Sequence, residues 1–94
     1  MSWRVRWSTR ATKQLLAIDK KQRLLIASWV NQHLEGCANP KTVQGGKPIQ
    51  GTQNGWRYRV GSYRILVKME EDELVVKVVR VGHRQGVYGN LPRS

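Results

Sequence analysis

Residues 55–66 read GWRYRVGSYRIL. Arg57 and Arg59 alternate with Trp56, Tyr58 and Val60, and Gly61-Ser62 then precedes Tyr63-Arg64 and a second apolar run. Side chains alternate across a strand, so Trp56, Tyr58 and Val60 share one face and Arg57 and Arg59 the other. Gly61-Ser62 supplies a tight turn into a second strand over about 63–69, and Arg64 lies just across that turn. Glu70-Glu71-Asp72-Glu73 makes the next turn. Residues 74–81, LVVKVVRV, form a third strand whose β-branched density marks it as central or well covered.

Upstream, SWRVRW at 2–7 has the two-residue period of a half-buried strand, with Trp3, Val5 and Trp7 opposite Arg4 and Arg6. Ser8 or Thr9 then caps a short helix carrying Ala11, Leu15 and Ile18 on one stripe. DKKQ at 19–22 breaks the apolar pattern, and Asp19 is placed to cap a second helix over 20–35. The stripe of that helix is Leu25 or Ile26, Trp29, Val30, His33 and Leu34, and Gly36 is its stop. Residues 36–55 hold five glycines and two prolines and are expected to be loop with little regular structure. Loops of this length are often functional.

The element order β-α-α-β-β-β predicts an α+β fold. It has a small, mostly antiparallel four-stranded sheet, with a helical hairpin on one face and the other face open. Ninety-four residues make one domain, 1–94, with one modest core.

Seventeen Lys+Arg against six Asp+Glu give a formal charge of +11, and four of the six acids fall in the 70–73 turn. Such an excess favours polyanions: nucleic acid first, an anionic membrane second, an acidic protein third. The basic residues are spread over strands and loops and do not line one amphipathic helix, which argues against a membrane surface. No stretch reaches the roughly 18–20 apolar residues of a span. Arginines at 4 and 6 interrupt the run a signal peptide would need. The lone Cys37 excludes an intramolecular disulfide and a zinc site built from several cysteines. The expected setting is the cytoplasm, with no metal and no cofactor.

A charge-alternating strand is ordinarily just a solvated face. Here the arginines are too many and too close for that reading alone, because guanidinium is suited to bidentate phosphate contact. Arg57, Arg59 and Arg64 should meet on the open face. Beyond the third strand, the segment GHRQGVYGNLPRS at 82–94 can add His83, Arg84 and Tyr88 if it folds back.

WRYRVGSYRILV, a short acidic hairpin and LVVKVVRVGHRQGVY, together with the opening strand and STRATKQLLAI, resemble the RelE branch of the RelE/ParE toxins of bacterial toxin–antitoxin systems. The resemblance covers about residues 2–90. It implies an endoribonuclease that needs the ribosome and cuts messenger RNA in the A site. It also implies a cognate RelB-like antitoxin that wraps the toxin. By motif position it makes Arg57, Arg59, Arg64, Arg84 and Tyr88 the site residues. Ser62 stands where similar sequences are often acidic, and Gly86 and Gly89 stand where larger residues are usual.

Metal-free RNA cleavage uses the neighbouring 2′-OH as nucleophile. Arg57, Arg64 and Arg84 are expected to clamp the phosphate, and Tyr88 to stack on a base or orient the hydroxyl. Arg59 stays protonated and is a poor base. His83 titrates nearest neutrality and is the better chemical candidate, unless the RNA or ribosome supplies the proton acceptor. Two alternatives remain open. One is a ParE-like DNA gyrase poison without nuclease activity, and the other is a non-catalytic basic nucleic-acid-binding module.

Overall fold

The computed structural model describes residues 2–83. Strand β1 (Arg4–Trp7) leads into helices α1 (Thr9–Leu16) and α2 (Lys20–His33). A 3-10 turn at Pro40–Thr42 precedes β2 (Gly46–Pro48), β3 (Gly55–Val60), β4 (Tyr63–Glu70) and β5 (Val75–His83). The strands form one sheet in the order β1-β5-β4-β3-β2. β1 runs parallel to β5, and the other neighbours are antiparallel.

The class is α+β, as the sequence predicts, with five strands where four are expected. The additional one, β2, lies inside the 36–55 segment and pairs Gly46 with Tyr58, Lys47 with Arg57 and Pro48 with Trp56. It stands at the edge of the sheet, where a proline breaks no ladder bond on its outer side.

Both helix starts are held by the expected caps. The Ser8 hydroxyl accepts from the Ala11 N–H at 3.0 Å, and the Asp19 carboxylate accepts from the Gln22 N–H at 3.4 Å. Ile26, Val30 and Leu34 on α2 are buried, and Ala11 is the buried residue of α1. Between the two alternatives on α2 it is Ile26 that enters the core, while Leu25 is 49% exposed. His33 is exposed rather than part of the stripe, with its ring 4.9 Å from that of Trp29. Gly36 ends the helical region at φ +77, a left-handed conformation that suits glycine.

The helices cover one face of the sheet. Tyr58, Val60, Ile65, Val67, Met69, Val76, Val78 and Val81 line that face and form the core with the α2 stripe. Where β1 ends, α1 takes over the edge of β5. The Ser8 N–H donates to the Val78 carbonyl at 2.9 Å, and the Val81 N–H donates to Gln14 Oε1 at 2.8 Å. Among the described residues no helix is long and apolar enough to cross a membrane.

Tyr58 ties the long connection to the core. Its side chain is fully buried, and its hydroxyl donates to the Pro40 carbonyl at 2.7 Å. Burial, with a smaller contribution from Cys37, pushes its pKa up, so it remains a donor throughout the physiological range. The rings of Tyr58 and Trp56 lie directly over Gly46, where a Cβ would fall 2.5 Å from Tyr58 Cε1. The exposed Lys41–Glu71 ion pair at 3.0 Å also bridges this segment to the β4–β5 turn, a contact of the kind that contributes little. Tyr58→Phe leaves the Pro40 carbonyl without its donor and should lower stability by about 1–2 kcal/mol, read as a shift of the urea midpoint.

Candidate functional site

The register of the three central strands sets the cations in rows across the sheet. Arg59 on β3 is directly opposite Arg64 on β4, which is opposite Gly82 on β5. In the next row Lys47, Arg57, Leu66 and Arg80 face one another in turn. In the third, Gly55, Lys68, Lys77 and Arg6 follow. Each of these positions alternates with core residues, so the rows lie on the face away from the helices. Gly82 brings no side chain to the first row, leaving bare backbone beside Arg64.

Of the sequence-derived site residues, Arg57, Arg59 and Arg64 therefore come together. Arg59 is exposed, while Arg57 and Arg64 are half-buried. His83 is not brought to them. It is in register with Tyr63, on the opposite face from Arg64 and Gly82, and its ring meets the Tyr63 ring edge-on at 5.1 Å. Arg84 and Tyr88 lie outside the described residues, as do Gly86 and Gly89. Lys47 and Arg80 join the surface although the sequence reading did not select them. The signal for Lys47 was hidden in an unrecognised strand, and that for Arg80 in an irregular one.

That irregularity is a β-bulge. Leu66 pairs with Arg80 and Val67 with Val78, so Val79 is an extra residue on β5. It shifts the alternation by one position, turning Val81 into the core and Arg80 onto the open face. Beside it, a groove of about 720 Å³ runs between β4, β5 and the 49–54 segment, with Arg10, Lys68 and Arg80 among its lining residues. Elsewhere, burial pushes the pKa of the Cys37 thiol up.

Over residues 5–88 the chain matches the family described as ParE toxin of type II toxin-antitoxin system, parDE. Toxin RelG of Mycobacterium tuberculosis is 29% identical over 89 residues, covering 94% of this chain and 98% of RelG. Toxin RelE3 of Methanocaldococcus jannaschii is 33% identical over 63 residues, covering 63% of this chain and 69% of RelE3. Among solved structures, the toxin–antitoxin complex RelBE2 from M. tuberculosis superposes with a TM-score of 0.66 at 26% identity, over 89% of this chain and all of that one. A free E. coli RelE variant shares the fold at a TM-score of 0.74 and 19% identity, over 95% and 93% of the two chains.

Like charges directly opposite on neighbouring strands destabilise a sheet, by up to about 1 kcal/mol per pair. Replacing Arg59 by threonine, which suits a strand, should raise stability by roughly 0.5–1 kcal/mol at low ionic strength. Urea titrations should show the gain shrinking in 1 M salt, where screening reaches about 3 Å.

Proposed function

This chain belongs to the RelE family of the RelE/ParE toxins of type II toxin–antitoxin systems, and we propose that it is a ribosome-dependent endoribonuclease that cleaves messenger RNA in the ribosomal A site. The observation that carries this reading is the direct opposition of Arg59 and Arg64, with Arg57 one row away, on the sheet face away from α1 and α2. A protein tolerates that repulsion where an anion is to lie between the charges.

In the proposed reaction the 2′-oxygen attacks the adjacent phosphorus, the bond from phosphorus to the 5′-oxygen breaks, and the products are a 2′,3′-cyclic phosphate and a free 5′-hydroxyl. Arg57 and Arg64 hold the non-bridging oxygens and stabilise the charge that develops there. Arg59 raises the local positive potential without accepting a proton. By the family resemblance Arg84 completes the clamp and Tyr88 stacks on a base or orients the hydroxyl. The placement of His83 against Tyr63 weighs against a proton-transfer role for it. We assign activation of the 2′-OH to the RNA and ribosome assembled around the arginines.

A RelB-like antitoxin is the partner this reading requires, and the M. tuberculosis RelBE2 complex supports it. On the helix side, a groove of about 600 Å³ lined by Val5, Trp7, Leu15 and Val30 offers a place for apolar anchors. Acidic residues of the same partner would neutralise the arginine face.

The ParE description of the matching family keeps a gyrase poison as the second reading. A toxin that only binds has no need of guanidinium groups opposed across neighbouring strands. Cleavage mapped on a translating message separates the two. Arg64→Ala should slow cleavage about 100-fold, as removal of one charge-stabilising donor does. A 2′-deoxynucleotide at the scissile position should abolish cutting, and His83→Ala should leave rate and pH profile near those of the unaltered protein. Intact message with gyrase-dependent DNA breaks would overturn the nuclease.

A further inference from the structure

We infer that the groove beside the arginine rows seats one unpaired nucleotide of the RNA strand that flanks the scissile linkage. Its base lies on Leu66 and Val79, and its phosphate lies between Lys68 and Arg80. The inference deepens the nuclease reading and rests on it for the path of the strand.

The groove begins one row from the Arg59–Arg64 pair, because Leu66 stands between Arg57 and Arg80 in the sheet. Its volume of about 720 Å³ lies within the roughly 300–1,000 Å³ of sites that take small organic molecules. Leu66 and Val79 give it an apolar floor on a face otherwise dominated by cations. Such a floor serves a flat, weakly polar ring better than it serves a phosphate. Around it stand Arg10 from α1, Lys68 from β4 and Arg80 from β5, and no acid among the described residues lines the groove. Gln53 at the rim carries both an amide donor and an acceptor, which suits the edge of a base.

Spacing selects a nucleic-acid strand over an isolated ligand. Successive rows on one face of a strand are two residues, about 6.7 Å, apart. That is the scale of one nucleotide step along an extended backbone. A phosphate held between Arg57 and Arg64 therefore puts the next nucleotide at Leu66 and Arg80, further along the same face. The bulge at Val79 makes this possible by turning Arg80 outward and widening the strand where the base would sit. Reading single-stranded RNA by splaying a base onto a protein surface while cations hold the backbone is a general mode of recognition.

The test is binding of the purified toxin to a short single-stranded 2′-O-methyl oligonucleotide, which resists cleavage, followed by fluorescence anisotropy. An abasic residue is walked along the strand. One position should weaken binding about tenfold, the equivalent of roughly 1.4 kcal/mol for one seated base. That penalty should vanish in Val79→Glu, which puts a carboxylate on the floor, and shrink in the rim variant Gln53→Ala. Thermal melting checks the folding of Val79→Glu, and Gln53→Ala keeps the test valid if that variant does not fold. A flat abasic scan, or a penalty unchanged in the groove variants, overturns the inference. Message cleavage keeps the two readings distinct. Retained cleavage with a flat scan removes the groove and leaves the nuclease, whereas a position-specific penalty without cleavage supports the groove and removes the nuclease.

Discussion

The burial of Tyr58 is the constraint on which the rest of this molecule depends. Its ring is fully enclosed beneath α2, 5.5 Å from that of Trp29, and its hydroxyl fixes the connection that carries β2. Because strand side chains alternate, enclosing Tyr58 forces Arg57 and Arg59 to the other side. A register slip of one residue would drive two guanidinium groups into the core and expose the tyrosine. Desolvating unpaired charges in that way costs several kcal/mol each, so the register is held far more firmly than any single hydrogen bond would hold it. The arginine face is therefore dictated by the core, even though it contributes nothing to the core's packing.

That face sets like charges side by side on neighbouring strands. Arg59 and Arg64 oppose one another directly, and the flanking rows add Lys47, Arg57, Lys68 and Lys77. The acid that alternation places on the same face, Glu70, lies at the far end of β4. The other acids of the 70–73 run sit in the turn beyond it. The fold accommodates this repulsion because the same three strands bury Ile65, Val67, Met69, Val76 and Val78 on their other side. At about 25 cal/mol per Å² of apolar surface removed from water, burial on that scale outweighs a few contacts that each cost a fraction of a kcal/mol.

Much of this arrangement was legible in the sequence, and the reasons are local. The alternation over 56–60, the glycine at the β3–β4 turn, and the caps Ser8 and Asp19 are short-range signals that tertiary context reinforces. β2 was not legible because Gly46-Lys47-Pro48 has neither apolar alternation nor β propensity. It is a strand only because Tyr58 and Trp56 lie over Gly46 and β3 offers an unpaired edge. The bulge was not legible either. Counting by twos from Val76 puts Val79, Val81 and His83 on the open face and Arg80 inside. The extra residue at Val79 reverses every assignment after it. That single insertion carries His83 away from the arginines and brings Arg80 to them.

The bulge also gives the open face a direction. Without it, β5 would turn Val79 and Val81 away from the core and Arg80 into it, an arrangement with a desolvated charge and two displaced valines. With it, the strand ends its pairing with β1 at Val78, accepts the edge contacts of α1 through Ser8 and Gln14, and delivers Arg80 beside Leu66. The cations then form a track that starts at Arg59 and Arg64, passes Arg57 and Arg80, and runs toward Lys68 and Lys77. A polyanion laid along that track meets a charge at each step and one apolar recess on the way. In the proposed reading the recess favours a nucleic-acid strand with exposed bases over a duplex, whose bases are stacked inside and unavailable to Leu66 and Val79. A uniform basic patch would draw both alike through their phosphates, so in the proposed reading a preference for single strands comes from the two apolar side chains and not from the chain's net charge of +11.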